Sequence, residues 1–209
     1  MNYKQFTEKT RNLNYFRIES LAVFPGHRRT LKNQLVAWQR RERVHKLRRG
    51  IYTLNDDDRR VPLPRLMVSN ILHAPSYVSL EFAMAHYGLI PERVTAVTAV
   101  TPRKTAMYRN VYGDFSYRSL KKDRFFGFRS VTEEGLPVLI ATPEKAVLDK
   151  IYFDPSFLPR EDYFLENLRL QNYETLRLDR LCGYARRFGY RKVREGADVL
   201  ASLVRSERR

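Results

Sequence analysis

The sequence predicts an α+β protein in two parts, a short helical module closed by a hairpin and a longer part that mixes strands with helices. Three observations carry this expectation. Apolar residues recur at helical spacing before residue 42, and the segment HKLRRGIYTLN (45–55) then switches to β-branched and aromatic residues after a glycine. The stretch NDDDRRVPLP (55–64) next crowds aspartates, arginines and prolines into a connector. Such a composition suits an exposed boundary, so the expected domains are residues 1–57 and 62–209.

Composition narrows the partners. The chain has 209 residues, of which 43% are hydrophobic, enough to bury a real core. Its 39 Lys+Arg against 23 Asp+Glu leave a formal net charge of +16, which puts nucleic acid ahead of an acidic protein or an anionic membrane. The single Cys182 excludes an intramolecular disulfide, and histidines at 27, 45, 73 and 86 fit no cysteine-based metal spacing. No metal or cofactor is expected. The opening MNYKQFTEKT is polar, and apolar runs such as Leu136 to Ala141 are too short to span a bilayer. A cytoplasmic protein with no membrane partner is the expectation.

In the first module, Tyr3 to Arg11 and Arg17 to Phe24 read as short amphipathic helices, and Pro25-Gly26 turns the chain into a third. From Arg28 to Glu42, Leu31, Leu35 and Trp38 recur at i, i+4 and i+7 and form one apolar stripe. At about 100° per residue, Arg29, Asn33, Val36 and Arg40 fall opposite that stripe, flanked by Lys32. Gly50 then admits a tight turn or bulge between two strands, with basic residues at its tip.

Helices, a basic helix and a basic-tipped ribbon follow one another in the order of a winged helix-turn-helix. The third helix would enter the major groove, where Arg29 pairs with guanine and Asn33 with adenine, while Arg28, Lys32, Val36 and Arg40 complete the surface. Arg43, Lys46, Arg48 and Arg49 would hold phosphates or the adjoining minor groove. A basic helix face is often only a solvated face. Here, however, nine lysines and arginines between residues 27 and 50 face the lone acid Glu42, and self-repulsion on that scale calls for an anionic partner.

The longer part reads as mixed α/β. Val61 to His73 and Ser79 to Tyr87 fit helices, with Ser79 as N-cap and Gly88 as stop. Val94 to Val100, Phe115 to Leu120, Phe125 to Val131 and Leu136 to Ala141 fit strands. Thr142-Pro143-Glu144 opens a helix with a cap, a proline at the first position and an acid at the positive end. Its Ala146, Val147, Leu148, Ile151 and Tyr152 would pack on the sheet. From about Glu161 the chain reads as helical, with Leu165, Leu168, Leu176, Leu178, Leu181 and Tyr184 inside. Arg177, Arg180, Arg186, Arg187, Arg191 and Arg194 lie outside, as solvated faces or as a second anionic contact surface.

Four stretches carry a family likeness. HRRTLKNQLVAWQRRERVHKLRRGIYTL, APSYVSLEFAMAHYGLIPE (74–92), TAVTPRKTAMYRNVYGDFSYRSLKKDRFFGF (98–128) and LIATPEKAVLDKIYF (139–153) resemble the AbiEi family of type IV antitoxins, over roughly residues 10–155. The resemblance implies a bacterial two-gene system. In it the protein would repress its own promoter through the winged helix, and its C-terminal domain would counter a nucleotidyltransferase toxin without a stable complex. Residues 156–209 carry little of the likeness, and no motif gives the oligomeric state.

Catalytic signatures are sparse. There is no Gly-rich phosphate loop with its lysine, no HExxH and no GxSxG, so no catalytic residues are assigned. The enzyme alternative is a metal-dependent nuclease using Asp114, Glu133, Glu134, Glu144 and Lys145, although Glu144 is more simply a helix-end acid and Lys145 a surface lysine. A regulator whose second domain senses a ligand is a third reading. Thr101, Arg103, Lys104 and Thr105 follow a strand and would bind a phosphate or a toxin surface, or be a plain exposed turn. Tyr77, Tyr87 and Tyr108 read as core or boundary residues.

Overall fold

The computed structural model describes residues 2–20 and 28–208, and for residues 28 and 29 the backbone alone. It is a mixed α+β fold with two sheets, one of three strands and one of six. Helix α1 (Tyr3–Thr10) starts with a capping box, in which Asn2 accepts from the Gln5 N–H at 2.9 Å and Gln5 accepts from the Asn2 N–H at 3.1 Å. Strand β1 (Phe16–Arg17), helix α2 (Arg28–Arg40), and strands β2 (Val44–Arg48) and β3 (Ile51–Leu54) follow. The strands lie in the order β1-β3-β2, all antiparallel.

The sequence suggests a helix from Arg17, and the structure corrects this. Phe16 pairs with Tyr52 and Arg17 with Ile51, so a partner 34 residues or more away overrides the local helical pattern. Residues 21–24 of that expected helix, and the Pro25-Gly26 turn, lie outside the described residues. Helix α2 ends at Arg40, two residues before the expected Glu42, because Glu42 sits in the left-handed region at φ 57°. The hairpin turns on Arg49 and Gly50, whose φ of 83° suits glycine, and a bulge falls between Lys46 and Arg48.

A small core of Phe6, Phe16, Leu35, Trp38, Val44 and Leu54 holds these elements together. Trp38 stands 4.7 Å from Phe6 and 5.3 Å from Tyr3, ring centre to ring centre. Leu47 and Ile51, from the same hairpin, belong to the second and much larger core. The connector 55–64 is likewise less exposed than its composition suggests. Arg59 bonds Tyr112 Oη at 3.2 Å and the Val61 carbonyl at 3.0 Å, and the Tyr3 hydroxyl donates to Asp58 at 2.6 Å.

The large sheet runs β6-β7-β5-β4-β9-β8, where β4 is Tyr77–Val78, β5 Val97–Thr101, β6 Ala106–Asn110, β7 Gly113–Ser119, β8 Phe128–Glu133 and β9 Leu136–Ala141. Pairs β5/β7 and β4/β9 are parallel and the remaining pairs antiparallel. Helices α3 (Arg65–Leu72), α4 (Leu80–His86) and α5 (Pro143–Phe153) pack on it, and α6 (Leu178–Phe188) and α7 (Arg191–Glu207) cover α5. Thr142 caps α5, accepting from the Lys145 N–H, with Pro143 at the first turn as expected.

Several boundaries differ from the sequence reading. Strand β4 is too short to show a period, and β6 exposes Met107 and Arg109 at alternate positions, so neither stands out as a strand. Strand β8 begins at Phe128 because Lys122–Arg124 forms a 3-10 turn. The chain is helical over 161–167 and then breaks, so residues 161–177 are not one continuous helix. They contain one π turn (Tyr163–Asn167) and one 3-10 turn (Tyr173–Thr175), with Arg169 and Asn172 at φ 50° interrupting any longer run. Leu165 is exposed, whereas Leu176 and Leu181 are buried as expected.

Inside the large core lies an ion pair. Lys145 and Asp149, one turn apart on α5, are both 0% exposed and bonded to each other. Lys145 Nζ also donates to Tyr77 Oη at 2.9 Å, while Tyr77 Oη and Ser79 Oγ donate to the carboxylate at 2.9 and 2.8 Å. Lys145 is therefore no surface lysine; α6 and α7 cover the face that the sequence leaves open. Burial pushes the Lys145 ammonium down and the Tyr77 hydroxyl up, with Asp149 opposing the first shift and adding to the second. No described helix is long and apolar enough to cross a membrane.

Candidate nucleic-acid interface

Helix α2 divides its residues as the periodicity requires. Leu35 and Trp38 are buried, Leu31 is half-buried, and Lys32, Asn33, Val36 and Arg40 are exposed. Val36 is 48% exposed, so an apolar side chain stands in water between charged neighbours. The side chains of Arg28 and Arg29 lie outside the described residues; their backbone forms the first turn of α2.

A groove of about 510 Å³ separates α2 from the hairpin. Lys32, Val36 and Gln39 line it from the helix, and Arg49, Tyr52 and Ile18 from the sheet. Lys46 lies opposite Tyr52 in the β2/β3 register, so both side chains leave the same face of the ribbon. The fold thus brings Lys32, Val36 and Arg49 to one groove. Glu19, Gln39 and Tyr52 join them there, which no local pattern could have shown.

Two predicted contact residues sit elsewhere. Arg43 is exposed but stacks over the Tyr3 ring at 4.8 Å, next to α1 and away from the groove. Arg48 is the clearer correction. The bulge after Lys46 reverses the phase of β2 and sets Arg48 opposite Ile51, a residue of the large core. Arg48 is consequently half-buried, and its Nε is enclosed without a hydrogen-bond partner among the described residues. It does not line the groove. On the neighbouring sheet, Asn110 Nδ2 donates to the Leu47 carbonyl at 3.0 Å and fixes the hairpin against β6.

The loop after β5 divides in the same way. Thr101 is buried, donating to the Pro75 carbonyl at 2.8 Å and accepting the Arg103 N–H at 3.2 Å, so its hydroxyl is occupied inside the fold and is not a contact group. Thr105 Oγ1 accepts the Ser119 N–H at 3.3 Å, and Arg103 and Lys104 are exposed. Tyr77 is a core residue, while Tyr87 and Tyr108 are half-buried at the boundary.

Two acids of the nuclease reading have separate partners. Asp114 is ion-paired with Arg109 at 2.5 Å, and Glu144, buried under α6, accepts the Arg177 N–H at 3.0 Å. Glu144 is thus the acid of the first turn of α5, as expected, and it also ties α5 to the start of α6. Among the described residues, no group of three histidines, cysteines or carboxylates could hold a metal ion. No protein-family model and no curated protein matches the chain.

Proposed function

We propose that the chain is a DNA-binding repressor whose first 57 residues work as a winged helix-turn-helix. The observation that carries this is the exposed face of α2, with Lys32, Asn33, Val36 and Arg40 exposed while Leu35 and Trp38 are buried, and with Lys32 and Val36 sharing a groove with Arg49. The strand order β1-β3-β2, with the hairpin directly after the basic helix, suits that architecture. Helix α2 would enter the major groove, with Arg28 and Arg29 at its leading turn and Asn33 over an adenine edge. Lys46 and Arg49 would take phosphates. The hairpin serves as a short wing because Leu47 and Ile51 anchor it to the large core.

The resemblance to AbiEi antitoxins extends the proposal to an autorepressor in the cytoplasm that opposes a nucleotidyltransferase toxin made from a neighbouring gene. Anisotropy titrations with DNA from the protein's own promoter and with random duplex test the first half. Log affinity should fall with log salt by about 0.9 per phosphate neutralised, and Lys32→Ala or Arg49→Ala should weaken both duplexes and lower that slope. Asn33→Ala should cost about 1–3 kcal/mol on the promoter only. Equal losses on both duplexes for all three variants would remove the recognition-helix assignment. For the second half, the neighbouring reading frame is induced with and without the full-length protein, wild type or Asn33→Ala. Rescue by both supports an antitoxin activity separate from operator reading, whereas a toxic neighbour with no rescue refutes it.

A further inference from the structure

Around the C-terminal end of α6, cationic and aromatic side chains interleave. Arg124, in the 3-10 turn, donates from Nε to the Phe188 carbonyl at 3.0 Å and from Nη1 to Tyr152 Oη at 3.2 Å. Its guanidinium stands 5.4 Å from the ring centres of both Tyr152 and Tyr190. Tyr190 meets Tyr152 edge-on at 5.3 Å and remains 43% exposed. Along the same surface Arg118 stacks over Phe153 at 5.7 Å and Arg187 over Phe126 at 4.1 Å. Lys121 and Lys122 stand exposed at the turn.

An ordinary solvated face pairs its cations with nearby acids or leaves them loose. Here Arg118, Arg124 and Arg187 are held against rings, and none of them forms an ion pair with a described carboxylate. Rings order the guanidinium groups without neutralising them. The surface therefore offers fixed positive charge beside an exposed tyrosine. Phosphates satisfy the charge, and an unpaired base satisfies the ring. A duplex satisfies only the charge, because its base faces are already stacked.

We infer that this surface binds a single-stranded polynucleotide, with phosphates on Lys121, Lys122 and Arg187 and a base against Tyr190. The site shares no residue with α2 and stands independently of the repressor reading.

The test is anisotropy of labelled oligo(dT), oligo(rU) and a random duplex, each about 20 nucleotides long, with the full-length protein. Tyr190→Ala should weaken single strands about 10-fold. Lys121→Gln with Lys122→Gln, both on an exposed turn, should lower the salt slope for single strands by about 1.4. Duplex binding should stay unchanged for Tyr190→Ala and fall less than single-strand binding for the lysine pair, while Lys32→Gln with Arg49→Gln should weaken the duplex and spare the strands. Binding of either strand with this pattern supports the inference, and the tighter of the two names the source as RNA or DNA. Unchanged single-strand affinity in both variants, or equal losses on strand and duplex, overturns it.

Discussion

The two hydrophobic cores differ in size and in what they enclose. Among the described residues the N-terminal core counts six, half of them aromatic, and its charge is outside on α2 and the hairpin. The large core extends from Leu47 to Val204 and encloses the Lys145–Asp149 pair. A smaller core buries less of its elements' surface and stabilises them less, since burial scales with size. Leu47 and Ile51 compensate by crossing from the small module into the large core. The exposed basic surface and most of the buried apolar surface are thus divided between the two regions.

The strongest way to break this division is at the buried pair. Asp149→Ala leaves an uncompensated ammonium in the core and should cost about 3–5 kcal/mol of global stability, read as a lower urea midpoint. Replacing the pair together, Lys145→Met with Asp149→Leu, should recover part of that loss, the remainder reflecting the Tyr77 and Ser79 hydroxyls left without their acceptor. A double variant as unstable as the single one would show that the pair contributes more than charge balance.

Leu47→Ala cuts the tie between the regions and should cost about 2–5 kcal/mol. If the small module depends on the large core, hydrogen exchange in α1 and α2 should rise more than in α5. Uniform acceleration would mean the two cores unfold as one.

A gentler probe lies at the α1–connector contact. Burial, reinforced by the hydrogen bond to Asp58, raises the Tyr3 hydroxyl to about 12. The folded pKa lies above the unfolded value of about 10, so this contribution is complete below pH 10 and is lost as pH rises through 12. Between those limits, wild type should lose stability and Tyr3→Phe should lose less. The smallest effect is expected at the exposed Arg109–Asp114 pair, where Arg109→Ala should leave the urea midpoint nearly unchanged because solvent screens the pair.

Much of this could be read along the chain. The stripe Leu31, Leu35, Trp38 assigns the buried and exposed faces of α2, Gly50 marks the hairpin turn, and Thr142-Pro143 marks the start of α5. Each of these signals is local, set by helical period, left-handed backbone or a missing N–H. Composition alone set the excess of positive charge.

Other features depended on partners far along the chain. Arg17 is extended because β3 offers it a ladder, and β6 is a strand because β7 pairs with it. Arg48 turns inward through one bulge, and Lys145 is buried because α6 and α7 cover α5. A sequence window records the period of its own element, whereas burial of a charge or pairing of a short strand is decided by what arrives from elsewhere.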